Sequence, residues 1–118
     1  MSNLQIAQLE RQIEGKKAQV ALNNALERLK NNKDFKKVVM EGFFQTEAVR
    51  LVSVKGDPDM QTPERQASII RDIDAIGSLQ RYFRLIESNA EIASDSISDD
   101  EETLDAINAE ALEDKGAE

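Results

Sequence analysis

Cysteine, histidine and tryptophan are absent from this 118-residue sequence. Their absence excludes disulfides, thiol nucleophiles, zinc sites built on Cys and His, histidine-held haem and the Ser-His-Asp triad. Aromatics are scarce, at four Phe and one Tyr, and five Gly with two Pro leave little to interrupt helices. The glycines are scattered, so no phosphate-cradling loop is expected, and no cofactor. No apolar run approaches the roughly 20 residues that cross a bilayer, and Met1–Arg11 lacks a signal-peptide core. A soluble protein in a reducing compartment, or one indifferent to redox conditions, without membrane contact, is the expectation.

Charge, by contrast, is abundant and uneven. The formal charge is -8. Residues 1–37 carry eight basic and four acidic side chains, residues 38–90 six and eight, and residues 91–118 one and eleven. Blocks of like charge with little apolar surface do not offset chain entropy. Residues 91–118 therefore read as an acidic tail, either disordered or carrying a short helix at Leu104–Leu112, and dispensable for folding.

Three helices are predicted, near residues 3–31, 35–55 and 63–88, with no sustained strand alternation. Asn3 or Ser2 caps the first. On it Ile6, Leu9, Ile13 and Val20 share one face, while Leu22, Leu26 and Leu29 share nearly the opposite one. Either the helix breaks near Gly15 or its halves meet different partners. Asp34 is the expected cap of the second helix, whose faces are Phe35, Val38, Val39, Gly42, Val49, Val52 and, separately, Met40, Phe44, Leu51. Gly56 suits a left-handed terminus before Pro58, and Thr62-Pro63-Glu64 announces the third helix. That helix buries Ile69, Ile70, Ile73, Ile76, Gly77, Phe83 and Ile86, with Gly42 and Gly77 either at close helix approaches, the favoured reading, or simply tolerated, and Phe44 and Ile73 in the core. The fold class expected is all-α: an antiparallel helical hairpin (34–90), a long and projecting N-terminal helix (1–33) and the acidic tail (91–118).

Within residues 34–83, the runs Glu41-Gly42-Phe43-Phe44, Glu47-Ala48-Val49-Arg50-Leu51-Val52, Asp57-Pro58-Asp59-Met60-Gln61 and Asp74-Ala75-Ile76-Gly77 resemble small helical proteins encoded by tailed bacteriophages near their structural and packaging genes. The resemblance covers about 50 residues and carries no catalytic signature. It implies a non-enzymatic virion or assembly protein, in the cytoplasm of an infected bacterium and in the particle, with phage structural proteins as partners. No functional residue carries over from it.

Candidate chemistry is thin. Asp72 and Asp74 point different ways on a helix, and Asp57-Pro58-Asp59 lies where a turn wants those residues. The Asp57 loop has neither the length nor the terminal Glu of a calcium site, so no metal is expected. The basic run Arg28–Lys37 reads as a solvated face, with no recognition helix to support nucleic-acid binding. Interaction residues are the better candidates. Ile6, Leu9, Ile13 and Val20 form a seam with spacings of three and four, interrupted by Lys16, suited to self-association as a homo-oligomer unless the tail helix covers it. Leu104, Ile107 and Leu112 give the tail apolar groups for a partner. The first functional expectation is an adaptor, scaffold or packaging accessory; the alternative is an acidic regulator that occupies a basic or nucleic-acid-binding site on a host protein.

Overall fold

The computed structural model describes residues 3–116, and every regular element among them is helical. Helix α1 spans Asn3–Lys30 and the single turn α2 spans Lys33–Phe35. A π-helical stretch, Lys36–Glu47, leads into α3, Ala48–Lys55. A 3-10 turn at Pro58–Met60 precedes α4, Pro63–Gly116. Ser2, one of the two expected caps of α1, lies outside the described residues. Two compact units result, one of residues 1–24 with 86–118 and one of residues 25–85.

In the second unit Leu51, Ile69 and Ile76 form the buried centre, with Phe43, Phe44, Val54 and Ile73 packed around them. The Phe83 ring lies tilted at 6.1 Å from Phe35 and edge-on at 5.7 Å from Phe44. Such ring pairs add about 0.5–1.5 kcal/mol each beyond their buried area. Phe44 and Ile73 are only half-buried, so they border the core rather than form it.

The chain leaves α1 through Asn32, whose side-chain oxygen accepts from the Phe35 amide at 3.0 Å. Asn32 is thus the cap, and Asp34, expected in that role, sits in the first turn. Next comes the largest departure from the expected periodicity. Across Lys36–Glu47 the backbone pairs i with i+5, so each residue turns through a smaller angle than in an α-helix. Inward-leaning positions fall at Phe35, Val39/Met40, Phe43/Phe44 and Glu47/Ala48, while Val38, Val49 and Val52 are turned outward, each 67% exposed. The face Met40, Phe44, Leu51 points in; the other expected face is split, Phe35 and Val39 leaning in and the three valines facing out.

Gly42 belongs to this wider turn. A Cβ there would lie 3.0 Å from the Lys37 carbonyl oxygen, its i−5 partner, whereas a Cβ at Gly15 or Gly77 would meet nothing within 4 Å. None of these glycines marks a close approach of two helices, contrary to the reading of Gly42 and Gly77 from their place in apolar stripes. Gly15→Ala and Gly77→Ala are expected to gain about 0.5–1 kcal/mol from helix propensity. Gly42→Ala should lose that gain, and thermal melts of the three variants check the contrast.

Between α3 and α4 the connection is locked by two glutamines. Gln61 Nε2 donates to the carbonyls of Lys55 and Asp57 at 2.9 and 2.8 Å, and Gln66 Nε2 to those of Lys55 and Met60 at 3.0 and 2.8 Å. Their amides satisfy the open carbonyl at the end of α3, so Gly56 stays right-handed at φ -83° and its left-handed freedom is unused. Thr62 caps α4 as expected, its hydroxyl accepting from the Arg65 amide at 3.3 Å.

The acidic segment is the second correction. Residues 91–116 are neither disordered nor a separate short helix but the uninterrupted continuation of α4. Composition alone made them a tail; a partner helix supplies what they lack by themselves. The partition 1–33, 34–90 and 91–118 gives way to two units, the first of which joins both ends of the sequence.

Candidate interaction surfaces

In the first unit, α1 and the distal part of α4 meet along one seam. Inward positions on α1 are Ile6, Leu9, Ile13, Lys16, Val20 and Asn23, spaced three and four. On α4 they are Ile86, Ala90, Ala93, Ile97, Asp100, Leu104 and Ile107, with the same alternation. Both sets keep the 3.5-residue repeat of a coiled-coil face. Lys16 Nζ donates to Ser96 Oγ at 2.6 Å and pairs with Asp100; Lys17 pairs with Glu101 at 3.1 Å; Leu9 and Ile107 share a recess. Descending α1 from 16 to 9 climbs α4 from 96 to 107, so the segments are antiparallel.

This arrangement places most of the expected interaction residues on one contact. Ile13 is 6% exposed, and Ile6, Leu9, Val20, Leu104 and Ile107 are half-buried. The seam of α1 is therefore covered within its own chain and is not a projecting face. The helix that covers it is the one read as a tail. Leu112 differs, at 70% exposed. On the opposite side of α1, Leu26 is buried while Leu22 and Leu29 are exposed.

Lys16, read as an interruption of the seam, is its polar layer. Lys16 and Asp100 retain only 27% and 20% of side-chain exposure. Asn23 also lies in the seam, and its carboxamide oxygen is buried without a hydrogen-bond partner. Polar groups at such positions cost stability and select one register, since sliding the helices would strand each charge among apolar groups. Lys16→Met or Asp100→Leu alone should destabilise by about 1–3 kcal/mol, because the remaining partner stays in the seam. The double replacement should return stability to the wild-type level or above it. Urea unfolding of the three variants measures this coupling.

The second unit carries an open apolar groove lined by Phe44, Ala48, Val52, Ile73, Ile76, Gly77 and Gln80. Because Gly77 has no side chain, the α4 wall of the groove is low at that point. An adjoining recess shares Ile73 and Gly77 and continues along α4 to Asp74, Ser78, Arg81 and Arg84. A shallower apolar strip on the π-helical stretch involves Val38, Val39, Gly42, Phe43 and Glu47. Glu47 is held there by Arg50, whose Nε donates at 2.9 Å; that hydrogen bond, and then the guanidinium charge, hold the carboxyl below its ordinary value. Lys33, Lys36 and Lys37 border a separate recess with Asp34 and Glu41.

Sequence patterning found the seam residues but missed the groove, because the π-helical stretch displaces the valines that a regular helix would bury. Among the described residues no three acidic side chains converge to hold a metal ion, and no helix is long and apolar enough to cross a membrane. No protein family, curated protein or solved structure matches the chain.

Proposed function

We propose that this chain is a non-enzymatic assembly protein, an adaptor, scaffold or packaging accessory, that acts through helix-mediated contacts with other proteins. The observation that carries the reading is the open groove of the second unit, with Val52 67% exposed above half-buried Phe44 and Ile73. Apolar grooves between helices are where amphipathic helices of partners bind. In this reading residues 33–85 work as a helical hairpin that presents the groove. The resemblance of residues 34–83 to tailed-phage proteins supplies the context: phage structural proteins as partners, nucleic acid not among them, and action in the infected bacterium's cytoplasm and in the particle. Quantitative mass spectrometry of purified proheads and virions tests it. An assembly component is expected at a fixed copy number per particle in at least one of the two.

A second reading is favoured by a separate observation. Glu91, Asp95, Asp99, Glu102, Asp105, Glu110 and Glu113 are all exposed along the outer side of α4. A rod of negative charge suits an acidic regulator that occupies a basic or nucleic-acid-binding site on a host protein. Absence from both particle forms, together with salt-sensitive capture of one host nucleic-acid-binding protein, would favour this reading over the first.

A further inference from the structure

The groove at Gly77 has a chemistry that narrows its occupant. Its floor is apolar, with Phe44, Ala48 and Ile73 half-buried. Its continuation along α4 is basic, since Arg81 and Arg84 stand against the single carboxylate of Asp74. Both arginines are exposed, and neither forms an ion pair within the described residues. An occupant needs an apolar side chain for the groove and carboxylates within reach of the two guanidiniums.

This chain carries such a segment at the end of α4. Leu112 is 70% exposed and lies among Glu110, Glu113 and Asp114. We propose that residues 109–114 of a second copy dock in this groove, with Leu112 as the apolar anchor and Glu110 and Glu113 facing Arg81 and Arg84. The inference rests on the assembly reading above and names one partner for it.

Charge distribution selects this pairing over the alternatives. Residues 1–24 and 86–118 together carry 14 acidic and 4 basic side chains, whereas residues 25–85 carry 9 and 11. Joining two acidic ends, or two grooves with their arginines, sets like charges together; only the end-to-groove contact joins opposite ones. At physiological ionic strength the screening length is about 8 Å, so charges at the contact outweigh the repulsion between whole chains. One leucine and a few flanking groups bury far less than the roughly 800 Å² per partner of a standard interface, so the contact is weak. It is also heterologous. Each copy offers one groove and one acidic end, so two copies that exchange ends close as a dimer, and copies that do not exchange form larger rings or open chains.

The test is sedimentation of the full-length chain over a wide concentration range at physiological salt. Wild type is expected to form dimers or larger species whose share rises with concentration. Gly77→Leu places a side chain in the groove at a position where an added Cβ meets nothing within 4 Å, so it should keep the fold and weaken association by about tenfold or more, the effect of losing roughly 1.4 kcal/mol. Leu112→Asp should weaken it comparably. Arg81→Glu with Arg84→Glu, and separately Glu110→Arg with Glu113→Arg, should each abolish self-association, yet a mixture of the two charge-reversed chains should associate. Helical circular dichroism and melting temperature report folding for every variant. A wild-type chain that stays monomeric, or Gly77→Leu associating like wild type, would overturn the proposal. A monomeric wild type still found in particles would overturn this contact and leave the assembly reading standing.

Discussion

Ending the chain after Ala90 is expected to unfold residues 3–24 as well as remove residues 91–118. Neither helix of the first unit is stable by itself. The α4 segment sets like charges four apart at Glu91/Asp95, Asp95/Asp99, Glu101/Asp105 and Glu110/Asp114, each pair opposing the helix by a few tenths of a kcal/mol. On the α1 side the segment contains Gly15, and isolated helices of about this length are marginal in water. Their shared seam holds both. Ile13 is buried, and Ile6, Leu9, Val20, Ile97, Leu104 and Ile107 are half-buried. At about 1.5–3 kcal/mol for each fully buried side chain, and less for the half-buried ones, the seam contributes on the order of 10 kcal/mol before chain entropy. Circular dichroism should therefore show a loss of helix larger than the deleted residues account for. A loss equal to the deletion alone would mean that α1 stands without α4.

The second large effect is expected at Leu51. It is 2% exposed, at the centre of the cluster with Ile69 and Ile76. Leu51→Ala should destabilise the second unit by about 2–5 kcal/mol, the range for emptying a buried leucine site. Phe44→Ala should cost less, because half-buried Phe44 already borders an open groove into which its neighbours can relax. Thermal melts of both variants rank them. The opposite order would move the core toward Phe44.

Helical content, the Thr62 cap, the stop at Lys55 and the three-and-four spacing of Ile6 to Val20 were legible in the sequence because each is a local signal. The partner of that spacing was not. Lys16 and Asp100 lie 84 residues apart, and nothing local in either neighbourhood announces the other. The pairing of residues 91–116 is hidden for a related reason: acidic composition measures what a segment can bury alone, whereas this one half-buries Ile97, Leu104 and Ile107 against α1. The Lys36–Glu47 stretch failed differently. Its residues obey a helical period, but the wider turn carries Val38 out of the face that 3.6-residue spacing assigns to it. The rule for helix ends assigns Gly56 a left-handed terminus because it does not foresee glutamine side chains taking over the last carbonyls.

The antiparallel pairing of α1 with the distal half of α4 is directly measurable, because the sequence contains no native cysteine. Leu9→Cys combined with Ile107→Cys places two thiols at positions that share one recess. Leu4→Cys with Ile92→Cys places them at exposed positions that antiparallel pairing keeps far apart along the seam. Mild oxidation at low protein concentration, followed by non-reducing gel electrophoresis and mass spectrometry, reads the outcome. Antiparallel pairing should give rapid closure of a disulfide within one chain for 9/107 and little for 4/92. Equal rates for the two pairs, or 9/107 linked only between chains, would contradict it.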